Sequence, residues 1–161
     1  MDDLLALTSG QPEIEIDTGE VLLHEGGEPR DFFVLLSGRL MVRRGDEDFI
    51  AIDAPGACVG EMAVLLGRSH TATVVATEPT RLRVVADARA TLVDDPPVLH
   101  AVASLLACRL DLVNHYLADL QQQYRDVDGG LGLVGDVLVE LATHPGDDLE
   151  PGSEREPHPL Y

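Results

Sequence analysis

The sequence predicts a mainly-β fold with flanking helices, an antiparallel barrel or double-stranded β-helix (jelly roll). Three observations carry this. Short apolar or β-branched runs recur about every ten residues between glycine-bearing turns, the rhythm of all-β domains and not of βαβ units. Acidic residues and isoleucine alternate from Glu13 to Asp17, as on a half-buried strand. Glycine and proline are missing from 98–126, where apolar residues follow helical spacing, so the long helix lies late in the chain.

Each element has its own reason. Asp2 to Leu7 reads as a short amphipathic helix with an acidic start. Glu13 to Asp17 and Val21 to His24 are strands separated by the Thr18-Gly19 turn. Glu25-Gly26-Gly27-Glu28-Pro29 is a loop, because no regular element tolerates that composition. Asp31 to Leu36 and Arg39 to Arg44 form a hairpin about Ser37-Gly38. Gly45-Asp46-Glu47 turns again into a strand from Asp48 to Ile52, and Pro55-Gly56 breaks the chain.

The stretch from Val59 to Ala76 organises the rest. Gly60-Glu61 opens a short apolar helix, Met62 to Leu66, which Gly67 closes. Ser69 and His70 lead into the β-branched strand Ala72 to Thr77. A helix start presents unpaired N–H groups and a positive dipole end, and a glycine there lets an anion approach closely. Glu61 is a carboxylate acceptor beside it, suited to a sugar hydroxyl. Its other role is to cap its own helix.

After Glu78-Pro79, Thr80 to Val85 is a strand. Asp87 is expected to cap a helix from Ala88 to Val93. Asp94-Asp95-Pro96-Pro97 stops it and starts the long helix, with proline suited to the first turn. Val102, Leu106, Leu110, Val113, Leu117, Leu120 and Tyr124 step by threes and fours, a coiled-coil-like seam. A helix of about 29 residues spans about 43 Å, more than a small barrel covers. The seam either packs on the barrel throughout or meets a second copy, making a homodimer through 98–126. Residues 128–143 are expected to hold a short final helix after the Asp128-Gly129-Gly130 break, and 144–161 an acidic, proline-rich disordered tail.

The cassette residues Gly60, Glu61, Met62, Ala63, Leu65, Gly67, Ala72 and Thr73 resemble, in register, the phosphate-binding cassette of the cyclic nucleotide-binding domain family. Gly19 to Leu40, GEVLLHEGGEPRDFFVLLSGRL, resembles the same family's N-terminal half. The resemblance implies a jelly roll over residues 1–127, including the long helix, and a cyclic nucleotide as ligand: cAMP, with cGMP second. It implies that Glu61 holds the ribose hydroxyl and that Gly60, Met62 and Ala63 line the phosphate with their main chain. His70 stands where the family places its arginine, with Thr71 and Ala72 beside it; Arg68 is an alternative cation two residues earlier. Aligning ACRLDLVNHYLADL with the catabolite-activator helix puts Asn114 near the adenine. That branch also dimerises along this helix.

Charge narrows the partners. The chain has 161 residues and a formal net charge of −18, and its 11 basic residues are all arginine. Such a balance opposes nucleic acid, whose affinity comes mostly from phosphate contacts, and an anionic membrane. No run of about 18 uninterrupted apolar residues occurs and the N-terminus lacks a positive segment, so no spanning helix is expected and the cytoplasm is. Cys58 and Cys108 have apolar neighbours and no spacing motif, and read as two buried thiols. The histidines show no ligand spacing, so no metal is expected, and no nucleophile–base pair marks an enzyme. Two functions remain. One is a standalone regulatory module that senses cAMP and signals through a protein effector. The other is a degenerate barrel without ligand that acts as a dimeric scaffold.

Overall fold

The computed structural model describes residues 2–123, and the final helix and tail expected beyond them lie outside the described residues. The chain divides into two compact units, residues 1–109 and 110–161. The first is a jelly roll of two four-stranded antiparallel sheets. Its elements are α1 (Asp2–Leu7), β1 (Glu13–Ile16), β2 (Val21–Leu23), β3 (Phe32–Ser37), β4 (Leu40–Arg44), β5 (Glu47–Ile52), β6 (Cys58–Val59), α2 (Glu61–Leu66), β7 (Thr73–Ala76), β8 (Thr80–Val85) and α3 (Ala88–Asp94). The long helix α4 (Pro96–Gln123) begins in the first unit and enters the second.

One sheet runs β1-β8-β3-β6 and the other β2-β7-β4-β5. Neighbours distant in sequence therefore pair, as with Glu13 opposite Arg83 and Leu40 opposite Ala76. Between the sheets lies a core of Leu23, Leu35, Leu40, Val59, Val74 and Leu82. A second core lies between the first sheet and the helices, from Leu4, Phe32, Val34, Val64, Val85, Leu92, Val98 and Val102. Strand β3 serves both, because its side chains alternate: Phe32 and Val34 face the helices, while Leu35 faces the other sheet.

The expected strands from β1 to β5 and β7 to β8 are found within a residue or two. The two-residue β6 was not expected, and only its pairing with Phe33 and Val34 makes it a strand. Asp87 occupies the N-cap position of α3 as expected, but its side chain does not make the cap. It adopts a left-handed conformation, φ 44°, with no side-chain cap bond, and its N–H donates to Asp31 Oδ1 at 3.0 Å. Asp95 takes the capping role at α4 instead, accepting from the Val98 N–H at 3.2 Å. Of the seam, Val102 is fully buried and Leu106 packs against the helix-side core. In the second unit, Leu110 and Val113 are about half exposed. Pro96–Asp119 is long and apolar enough, at mean hydropathy 1.4, to cross a membrane by length and composition. Its scattered polar residues hid this from a count of uninterrupted apolar residues. Val98 and Val102, however, are buried in the core of the first unit.

Candidate functional site

The cassette is held by two close approaches. Gly60 precedes α2 at φ 91°. A Cβ there would lie 3.2 Å from the Asp31 carbonyl oxygen and 3.3 Å from Leu23 Cδ1, so the turn needs glycine both for its φ and for its space. Gly67, also left-handed, closes α2 by donating to the carbonyls of Ala63 and Val64. Between them Glu61, Ala63 and Val64 turn inward, whereas the Met62 side chain is half exposed.

Glu61 is 2% exposed, a buried acid at a helix start. Its Oε1 accepts from Arg109 Nη1 at 2.8 Å, and Arg109 Nη2 donates to the Cys58 carbonyl at 3.2 Å. Burial raises the Glu61 pKa, and the Arg109 guanidinium works against that rise. Burial, with the Glu61 charge second, pushes the Cys58 thiol far up. That leaves Cys58 a neutral, unreactive thiol. Cys108 is exposed, which corrects the expectation of two buried thiols. Its helix turns it away from the seam that Val102 and Leu106 follow.

His70 is not a surface residue. It is 8% exposed, its carbonyl accepts from the Gly26 N–H at 2.8 Å and its own N–H donates to the Gly27 carbonyl at 2.9 Å. Its ring lies against Gly27, where a Cβ would come within 3.6 Å of Cδ2. Burial lowers its pKa, and a hydrogen bond with the Glu28 main chain works against that. The 24–29 loop and the cassette exit are thus laced together, and the Glu25 N–H adds a bond to Thr73 Oγ1 at 3.1 Å. Thr71 is exposed and Ala72 half-buried. Gly60, Glu61 and Ala63 gather at the start of α2, and His70, Thr71 and Ala72 at the cassette exit. Asn114 is an exposed α4 residue in the second unit.

Arg109 escaped the sequence reading. The signal was available: it is the only arginine or lysine in Pro96–Gln123. It also stands seven residues after Val102 and three after Leu106, on the buried face of α4. A surface hollow is lined by Arg43, Gly45, Asp46, Asp48 and Thr73. None of the expected site residues lines it, and its Arg43 is already paired with Asp48 at 2.6 Å. Among the described residues no group of three His, Cys, Asp or Glu side chains could hold a metal ion.

A sequence model described as the cyclic nucleotide-binding domain matches residues 13–90. The chain is 31% identical over 166 residues to the CRP-like cAMP-activated global transcriptional regulator of Mycobacterium tuberculosis, covering 98% of this chain and 70% of that protein. Its fold is similar to that of the Thermus thermophilus Catabolite Activator Protein, with TM-score 0.56 and 22% identity over 88% of this chain and 83% of that one. It is also similar to the N-terminal domain of a Streptomyces coelicolor transcriptional regulator, with TM-score 0.53 and 22% identity over 72% and 85% of the two chains.

Proposed function

We propose that this chain, which belongs to the cyclic nucleotide-binding domain family, is a regulatory module that binds cAMP in preference to cGMP and signals through a protein effector. One observation carries the reading: a buried acid, Glu61, follows a left-handed glycine at a helix start and is held by Arg109 of α4. A ribose hydroxyl is an apt partner for such a carboxylate, and the amides at the start of α2 suit a cyclic phosphate. The relative's cAMP-activated name supports the choice of ligand.

Arg109 supplies the coupling. A hydroxyl donating to Glu61 shares the carboxylate with the guanidinium, so binding bears on the helix that carries it. The ligand shifts α4 only in so far as it favours one placement over another. Exposed Leu110 and Val113 on α4 support a homodimer through this helix. No reaction is assigned to the module, the net charge of −18 argues against nucleic acid, and the cytoplasm is the setting in which such a ligand is available.

A second reading, a ligand-free dimeric scaffold, is favoured by a specific feature. His70 faces the 24–29 loop and Arg109 is committed to Glu61, so neither is an unengaged cation for phosphate. Calorimetry with cAMP and cGMP separates the two. The module reading expects saturable cAMP binding, weakened about tenfold or more by Glu61→Ala. His70→Arg is expected to tighten it by adding a permanent charge. Absence of heat and of any thermal shift at about millimolar nucleotide leaves the scaffold.

A further inference from the structure

We propose that residues 131–142 of this chain fold back as an antiparallel helix onto the side of α4 that carries Leu112 and Tyr116. Among the described residues these are the most exposed large apolar side chains of α4, at 72 and 63%. They stand one turn apart and so share a face. That face is not the seam. Leu112 lies about 100° round the helix from Val113, and a seam through Leu110, Val113 and Leu117 uses only the narrow stripe of a two-helix contact. The apolar surface of α4 in the second unit therefore has two sides, and a second copy on the seam covers one of them.

The chain itself supplies the occupant of the other. Residues 131–142 lie beyond the described residues, and their sequence, LGLVGDVLVELA, is amphipathic at helical spacing. Leu131, Val134, Leu138 and Leu141 step by threes and fours, with Asp136 and Glu140 on the opposite side. A helix so short is marginal by itself, so its apolar stripe needs a partner surface. Asp128-Gly129-Gly130 provides the reversal. A turn centred on Val127 sets Tyr116 opposite Leu138 and Leu112 opposite Ala142, and a helix over 131–142 spans about 18 Å, enough to cover both. The same register sets Asp111 and Asp119 opposite Thr143 and Gly135, so neither acid of α4 meets an acid. Both halves of this hairpin belong to the second compact unit, residues 110–161. A tether as short as 124–130 holds the segment near α4 at an effective concentration of about millimolar. A second copy lacks that advantage and brings a further charge of −18. The hairpin leaves Leu110, Val113 and Leu117 free to meet a second hairpin along the seam.

Disulfide trapping in the full chain, without nucleotide, tests this separately from the ligand reading. The background is Cys108→Ser, because Cys108 is exposed and Cys58 buried. Tyr116→Cys is combined with Leu138→Cys, or with Leu141→Cys one turn on. A disulfide needs a Cα separation of about 4.4–6.8 Å, which the hairpin provides. Mild oxidation is expected to link these pairs within one chain. Ala118→Cys with Leu138→Cys, on the opposite face of α4, is expected to stay unlinked. A second measurement needs no engineered pair. The chain has no tryptophan, so Tyr116→Trp reports on this face alone. Its emission is expected at shorter wavelength than that of Ala118→Trp, and Leu138→Asp is expected to shift it to the red while leaving Ala118→Trp unmoved. A disulfide between two chains, doubling the mass on a non-reducing gel, gives the face to a second copy and overturns the proposal. So does trapping no faster than in the Ala118 pair, or Tyr116→Trp emission that Leu138→Asp leaves in place.

Discussion

Single residues in this protein separate stability from binding. Burial raises the Glu61 pKa in spite of Arg109, so the charged carboxylate is held at a cost to the fold. Because Arg109 is 39% exposed and can turn to water, Glu61→Gln is expected to change the unfolding free energy from urea melts by about 1 kcal/mol, while calorimetry shows cAMP binding weakened. His70 works in the opposite direction on pH. Its folded pKa lies below the ordinary 6.5, so the unfolded chain takes the proton first as pH falls. Its contribution is intact above 6.5 and is lost on descending through the window below it. Urea melts across that range are expected to show a slope in wild type that His70→Gln flattens. Two glycines rank by the space around them. A Cβ on Gly38, at φ 97°, would meet Thr80 Oγ1 at 2.5 Å and the Pro79 carbonyl at 2.6 Å; on Gly60 the nearest atom is at 3.2 Å. Both Gly→Ala changes carry about 1–2 kcal/mol of backbone strain, and thermal melts are expected to place Gly38→Ala below Gly60→Ala.

Among the elements, β3 and α4 matter most because each faces two environments. β3 feeds two cores by simple alternation, so a one-residue slip would exchange every contact it makes. Helix α4 changes character along its length. Val98 and Val102 are buried, whereas Leu110, Leu112, Val113 and Tyr116 are exposed, at 54, 72, 49 and 63%. Such a run of large apolar groups is the expected site of self-association. Leu110→Asp with Val113→Asp is expected to convert a dimer to monomer in analytical ultracentrifugation. A sedimentation profile unchanged by that pair removes the helix from the interface. The elements were readable where composition decides them, as with Ser37-Gly38 between β3 and β4. They were not readable where pairing alone decides, as with Cys58–Val59, or where a backbone angle pre-empts a side-chain cap, as at Asp87.

At the scale of the molecule, charge sets the company it keeps. With a net charge of −18, the chain is expected not to retard duplex DNA in a gel at about 50 mM salt, where phosphate-driven binding is strong. A retarded band there would overturn the exclusion. The described arginines are mostly spent inside the molecule, bridging Arg81 and Arg83 of β8 to Glu13 of β1 and Arg39 to Asp53.

The sequence by itself determined a mainly-β domain of short strands, the glycine-bounded helix Glu61–Leu66 and the late long helix, because turn chemistry, alternation and helical spacing are local properties that neighbours along the chain express directly; the choice of jelly roll over closed barrel and the phosphate cassette came with the family resemblance. It also located Glu61 and His70. Only the tertiary structure decided what those two side chains touch. Arg109 reaches Glu61 across 48 residues of sequence, and the ring of His70 lies against Gly27, more than 40 residues upstream. Contacts of that range depend on which strands pair and where α4 crosses them, and no local pattern encodes either.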